Sequence, residues 1–198
     1  MNYAALNTKT RAKNAKNAKQ MRENNAESLD QAIASICRFI PDRKLCNFIR
    51  LLGQQETGIS YYSNLWKCVN SLDKQNRVAL RSVIGAEIDI SNIIWIYRLK
   101  RYHRISGPRV YGYLVPVRYR LSTAATSRLA DSVSPAALLE EIVKTPYSAD
   151  ISFQPDCKLT PEQQLSQAIT RRYQAAARRH SNSLAPTLAY LYWLKSGL

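Results

Sequence analysis

The sequence predicts an all-α protein, and three observations carry that prediction. Apolar residues recur at steps of three and four along most of the chain, as one buried helix face requires. Runs that alternate apolar and polar residues are few. Six glycines and eight prolines in 198 residues fit helices joined by short turns. A chain of this length buries roughly 70% of the surface its unfolded form exposes, so a core needs no covalent staples.

The elements follow in order. Residues 2–25 are polar and basic, with Asn-Ala-Lys at Asn14 and again at Asn17, and read as a solvated or fraying helix. Lys9, Arg11, Lys13, Lys16, Lys19 and Arg22 with no acid among them also fit a transit peptide, but an apolar face of Ala12, Ala15 and Ala18 is weak for one. Residues 28–40 place Leu29, Ile33, Ile36, Cys37 and Ile40 on one face until Pro41 stops the helix. Residues 44–52 do the same with Leu45, Phe48, Ile49 and Leu52, and Gly53 marks the end.

After a loop containing Gly58, a longer periodic segment starts at Tyr61. Leu65, Val69, Leu72, Ala79 and Val83 form its stripe, Asp73 is placed to cap a restart, and Gly85 sits where a helix would close. Residues 87–105 then form a separate helix. Ile88, Ile90, Ile93, Ile94, Trp95, Ile96, Tyr97 and Leu99 leave it almost no polar face, which predicts a central position in the core. Its cations gather at the C-terminal end, where the helix dipole favours them.

Gly107, Pro108, Gly112 and Pro116 break the next stretch into one short helix and a linker. Short helices follow over 122–131 and 134–144, the second with Ser134 as cap and Pro135 in its first turn. A loop with Pro146 and Pro155 leads to Thr160, Pro161 and Glu162, which open a helix running to about His180. Residues 184–194 form the last helix, apolar on most sides.

Catalytic arrangements are scarce. His103 and His180 lie among arginines with no carboxylate placed in sequence to orient a base, and read as exposed polar residues. Cys37, Cys46, Cys68 and Cys157 fit neither a zinc knuckle nor a CxxC redox motif, and read as buried reduced thiols. No glycine-rich phosphate loop is present. Glu87 with Asp89, and Glu140 with Glu141, are too close in sequence to converge on one helix face. The expectation is no catalytic residue, no metal, no cofactor and no small-molecule substrate. The longest uninterrupted apolar run, residues 188–194, is seven residues against about 20 for a bilayer span, so the expected protein is soluble or peripheral.

Two anomalies remain. Glu87, Asp89 and Asn92 precede the most apolar helix. One explanation is that Asp89 or Ser91 caps its N-terminus; the other is that these groups reach a neighbouring helix or partner through buried hydrogen bonds that fix orientation. The second anomaly is charge. Lys plus Arg number 29 against 14 Asp plus Glu, a formal +15. Between Asp89 and Asp131 there is no acid, while Arg98, Lys100, Arg101, Arg104, Arg109, Arg118, Arg120 and Arg128 alternate with five tyrosines. That pattern suits a single-stranded nucleic acid, an acidic protein surface or anionic lipid headgroups. A basic helical nucleic-acid-binding protein is therefore the alternative function.

Residues 64–105, NLWKCVNSLDKQNRVALRSVIGAEIDISNIIWIYRLKRYHRI, carry a more specific signal. The acid-isoleucine-aspartate pattern followed by Asn-Ile, then Tyr-Arg and Lys, resembles the helical repeat of the C-subunit (or d-subunit) family of V-type and A-type ATPases, particularly bacterial members. NYAALNTKTRA at 2–12, YLVPVRYRLS at 113–122, KTPYS at 144–148 and SLAPTLAYLYWLK at 183–195 resemble further family segments in the same order.

The resemblance implies a non-catalytic, funnel-like protein built of helical pseudo-repeats. It would be a peripheral, cytoplasmic-side part of the central stalk, seated on the membrane rotor ring and holding the foot of the central shaft, in ATP-coupled proton or sodium transport. Glu87, Asp89 and Asn92 would organise the repeat, with Arg98 and Lys100 continuing toward its basic end. Residues 1–60 are short for a full first repeat and read as a reduced one, and 61–198 as the V-type ATPase C-subunit-like domain. The family would also continue into another Glu-x-x-Asn helix past Leu198, so a shortened or partial form is expected.

Overall fold

The computed structural model describes residues 29–54, 58–105, 107–150 and 159–196, and these are helical or irregular, with no strand among them. The basic segment 2–25, the family-like stretch at 2–12, Pro155 and Cys157 lie outside the described residues. The chain divides into two compact units, one made of residues before Glu56 together with those from Tyr190 onward, the other of Glu56–Ala189.

In the first unit, residues 29–39 (α1) bury Leu29 and Ile33, and the helix ends before Pro41. Asp42 starts α2 (Arg43–Gly53) by accepting from the Lys44 and Leu45 amides at 2.7 and 3.4 Å. Phe48, Ile49 and Leu52 form its buried face. The helix ends at Gly53, as the sequence implies, and a Cβ there would run into the Ile33 side chain. The last turn of α8 (Ala185–Ser196) supplies Lys195, whose Nζ donates to the Gln54 and Leu52 carbonyls at 2.8 and 3.4 Å. A cation thus closes the C-terminal end of α2.

The thiols of Cys37 and Cys46 are half-buried rather than buried, as is that of Cys68 in the second unit. Cys46 Sγ donates to the carbonyls of Cys37 and Ile40 at 3.5 Å, and Cys37 Sγ to that of Cys46 at 3.8 Å. Burial, and then Cys46, push the Cys37 thiol up from its ordinary value.

The second unit is organised around one long helix. α3 (Ile59–Asn70) ends just before Asp73, which caps α4 (Lys74–His103) by accepting from the Asn76 amide at 3.1 Å, as the sequence implies. α4 spans 30 residues, about 45 Å, and nearly every side chain from Ala79 to Lys100 is buried. The expected break at Gly85 does not exist. Gly85 lies in mid-helix because the Tyr119 side chain lies against its Cα; an added Cβ would stand 2.7 Å from Tyr119 Cβ and Cδ2. Asp89 and Ser91 therefore cap nothing, since both sit in the interior of α4.

A 3₁₀ segment (Gly107–Tyr113) and irregular residues lead to α5 (Thr123–Asp131), α6 (Pro135–Val143), a 3₁₀ turn (Ser148–Asp150), α7 (Pro161–Arg179) and the start of α8. α6 and α7 have the expected caps, Ser134 with Pro135 and Thr160 with Pro161, and Ser122, read from the sequence as the first helical residue, instead caps α5. Thr160 and Gln163 exchange hydrogen bonds at 3.3 and 2.9 Å, a full capping box. Thr160→Ala should cost about 1 kcal/mol, lowering the thermal midpoint by about 2–4 °C in a calorimetric scan. The turn between α7 and α8 is tied to the first turn of α4, the Leu184 amide donating to Asn76 Oδ1 at 2.9 Å and Gln75 Nε2 to the Asn182 carbonyl at 2.5 Å.

Candidate functional site

The middle of α4 carries a row of polar side chains inside the core. Glu87, Asp89, Ser91 and Asn92 are all buried, with Asp89 fully inaccessible. Such groups are tolerated in an apolar interior only when hydrogen-bonded, and here they find partners on several different elements.

Glu87 joins three helices. Its Oε1 accepts from the Tyr62 hydroxyl of α3 at 3.2 Å, and its Oε2 from the Tyr173 hydroxyl of α7. Ser91, one turn on, donates to the Tyr62 hydroxyl at 3.3 Å. Asp89 gathers the irregular segment that precedes α5. Oδ1 accepts from the Tyr119 amide at 3.2 Å, and Oδ2 from the Arg120 and Leu121 amides at 2.7 and 2.9 Å. The buried Tyr147 hydroxyl completes the set at 2.6 Å on Oδ2. Three successive amides converging on one carboxylate form an anion-holding concavity of the chain's own backbone, filled by its own side chain. Asn92 makes a two-way pair with Val115, accepting from its amide at 2.9 Å and donating to its carbonyl at 3.1 Å.

Farther along α4 the anchors turn outward. Arg98 donates to Glu162 in the first turn of α7 at 2.9 Å, where both helix polarity and the ion pair favour the carboxylate. More than half of the Arg98 side chain is exposed, so the pair adds little stability. Lys100 is buried and donates to the Ser132 carbonyl at 2.7 Å in the turn between α5 and α6. Burial holds its ammonium below the ordinary lysine range, with Asp131 partly opposing.

The five residues singled out in the sequence thus occupy one helix and reach α3, α7, residues 115–121, Tyr147 and the α5–α6 turn. Glu87 and Asp89 do not share a site; their carboxylates serve separate partners. Sequence reasoning misses the tyrosines. Tyr62, Tyr147 and Tyr173 are remote in sequence from the residues they bind, and nothing in their local pattern marks them as donors. Only KTPYS, for Tyr147, and YLVPVRYRLS, for the 115–121 segment, stand out, as family-like stretches without an assigned contact.

Electrostatics follow from this burial. Desolvation, and then the Glu87 charge, raise the Tyr61 and Tyr62 hydroxyls; desolvation, and then Asp89, raise that of Tyr147 against the opposing Arg172. The Arg172 guanidinium stands 5.0 Å over the Tyr147 ring. A tyrosine with a raised folded pKa contributes stability below its unfolded value of about 10, and that contribution is lost as pH rises past it. Stability should therefore fall above about pH 10, with tyrosinate absorbance at these positions appearing together with loss of helical circular dichroism. Tyrosinate at all positions before unfolding would contradict the arrangement.

The basic, tyrosine-rich stretch does not form one continuous face. Tyr97 and Lys100 are buried, Tyr119 packs edge-on against Trp66 at 6.3 Å, and Arg128 pairs with Glu141 at 3.2 Å. Among the described residues no helix is long and apolar enough to cross a membrane.

No curated protein and no solved structure matches the chain. A family profile, described as ATP synthase (C/AC39) subunit, matches residues 59–195, which includes α3 to α7 and every residue of the buried row. The members of that family are non-catalytic parts of the V/A-type ATPases. The profile spans well over half of the sequence and the fold is helical throughout the described part of it, so the chain belongs to the ATP synthase (C/AC39) subunit family.

Proposed function

We propose that this chain is a coupling element of the central stalk in a rotary V/A-type ATPase, linking the central shaft to the membrane rotor ring on the cytoplasmic side during ATP-coupled proton or sodium transport. The observation that carries this reading is the polar row of α4, which lies wholly within the family-matched residues. A part that passes torque must keep its helices in register under load. Buried, multiply bonded carboxylates serve that need, because breaking any one bond leaves an unsatisfied group in the interior. Glu87, Asp89 and Asn92 act as organisers of the repeat, and Arg98 and Lys100 extend the same function toward its basic end. In this reading residues 61–198 form a C-subunit-like helical domain and residues 1–60 a reduced first repeat.

Affinity purification of the tagged chain from solubilised membranes tests the reading. Recovery of rotor-ring or shaft proteins is the expected result; recovery of neither would remove the coupling role.

A further inference from the structure

Where α4 ends, Arg104 takes a left-handed conformation (φ 52°) and turns the chain away, leaving an open cleft of about 700 Å³ beside the α5–α6 turn. Its charged lining is Lys100, Arg101, Arg104 and Asp131, with Ser132 and Ser134 beside them. Three cations face one carboxylate. Arg98 and Arg128 each pair with a glutamate, whereas among the described residues neither Arg101 nor Arg104 has an ion-pair partner.

Lys100 is buried and uses one donor on the Ser132 carbonyl; an ammonium has three. Burial disfavours that charge, so an arriving anion would relieve the cost. The cleft is also bordered by the N-terminus of α6, whose first turn carries no acid to offset its positive end. Asp131 offsets only part of the charge and already accepts from Ser127 Oγ at 3.0 Å.

We infer that this cleft binds a phosphate group, held by Lys100, Arg101 and Arg104. Arginine forks match phosphate oxyanions, and the surplus of two cations over the one carboxylate leaves the cleft positive toward a phosphodiester and a phosphomonoester alike. The phosphate belongs either to a soluble compound or to a lipid headgroup, and the cleft's chemistry is the same for both.

Titration calorimetry of the full chain with sodium pyrophosphate, and co-sedimentation with phosphatidylcholine vesicles with or without phosphatidylglycerol, test the inference. Arg101 and Arg104 are exposed, so R101E/R104E should fold normally by circular dichroism. It should weaken binding about tenfold or more, while the charge-matched K67E/K74E stays within about twofold. Pyrophosphate binding lost in R101E/R104E supports a soluble ligand, and selective loss of phosphatidylglycerol binding supports a headgroup. Equal weakening by both double variants would show general surface charge and overturn the site. Absence of binding to both probes would overturn it as well.

Discussion

Asp89→Ala is expected to lower stability by about 4 kcal/mol or more and the thermal midpoint by about 10 °C. The alanine would leave the Tyr119, Arg120 and Leu121 amides and the Tyr147 hydroxyl without the acceptor they share. The buried Leu121 amide and Tyr147 hydroxyl each cost about 1–3 kcal/mol when unsatisfied, while the half-buried Tyr119 and Arg120 amides cost less because water reaches them. The loss is large against the roughly 5–15 kcal/mol that stabilises a typical whole domain. Asp89→Asn should fall between alanine and the native residue. Its amide oxygen can serve the Arg120, Leu121 and Tyr147 donors, but its NH₂ group then faces the Tyr119 amide, donor against donor. Urea unfolding of the three proteins measures this order. Equal stability of Asp89→Ala and the native chain would show that the carboxylate holds nothing.

Gly85→Ala is the second large effect, and its sign runs against helix propensity. In the interior of an exposed helix this change would add about 1 kcal/mol of stability. Here the new methyl would overlap the stem of the Tyr119 side chain, with Tyr119 Cβ at 2.7 Å. Tyr119 has little room to retreat. Trp66 packs against its ring from another side, and its amide is bonded to Asp89. Overpacking costs about 1–3 kcal/mol, and with Tyr119 held on two sides the cost lies at the upper end, so a propensity gain of about 1 kcal/mol leaves a net loss of about 2 kcal/mol. In a Tyr119→Ala background the overlap is gone, and the same glycine substitution should become stabilising. Denaturant unfolding of the two single variants and the double variant gives the coupling directly. Stabilisation by Gly85→Ala in the native background would contradict the close approach.

Gly85 also shows where sequence reasoning reaches its limit. A lone glycine between two apolar periodic runs has two readings, a helix end or a close contact, and the residue that decides between them is Tyr119, distant in sequence. Reading the glycine as an end divides the long helix in two and turns Asp89 into a candidate cap. Local signals are otherwise reliable: Pro41, Asp73, Ser122, Ser134 and Thr160 each mark a helix boundary through chemistry within a few residues. The presence of Glu87, Asp89 and Asn92 among isoleucines is visible as an anomaly, because buried polar groups must be bonded. Their partners are not, since hydrogen bonds to Tyr62, Tyr147 and Tyr173 depend on how the helices pack and leave no periodic trace.

The same packing links the site to the proposed coupling role. Residues 114–121 have no regular secondary structure apart from their attachment to α4, yet Leu114, Val115 and Leu121 are buried and amides along the segment are tied to Asp89 and Asn92. An irregular segment fixed in this way can carry load between helices as a helix would.

Amide hydrogen exchange followed residue by residue tests that claim most directly. The amides of Val115, Tyr119, Arg120 and Leu121 should exchange only with global unfolding, as slowly as the core of α4, and Asp89→Ala should release the last three selectively or unfold the unit as a whole. Exchange of these four amides at the rate of an ordinary exposed loop in the native chain would contradict the account, because the polar row of α4 would then not be holding the fold together.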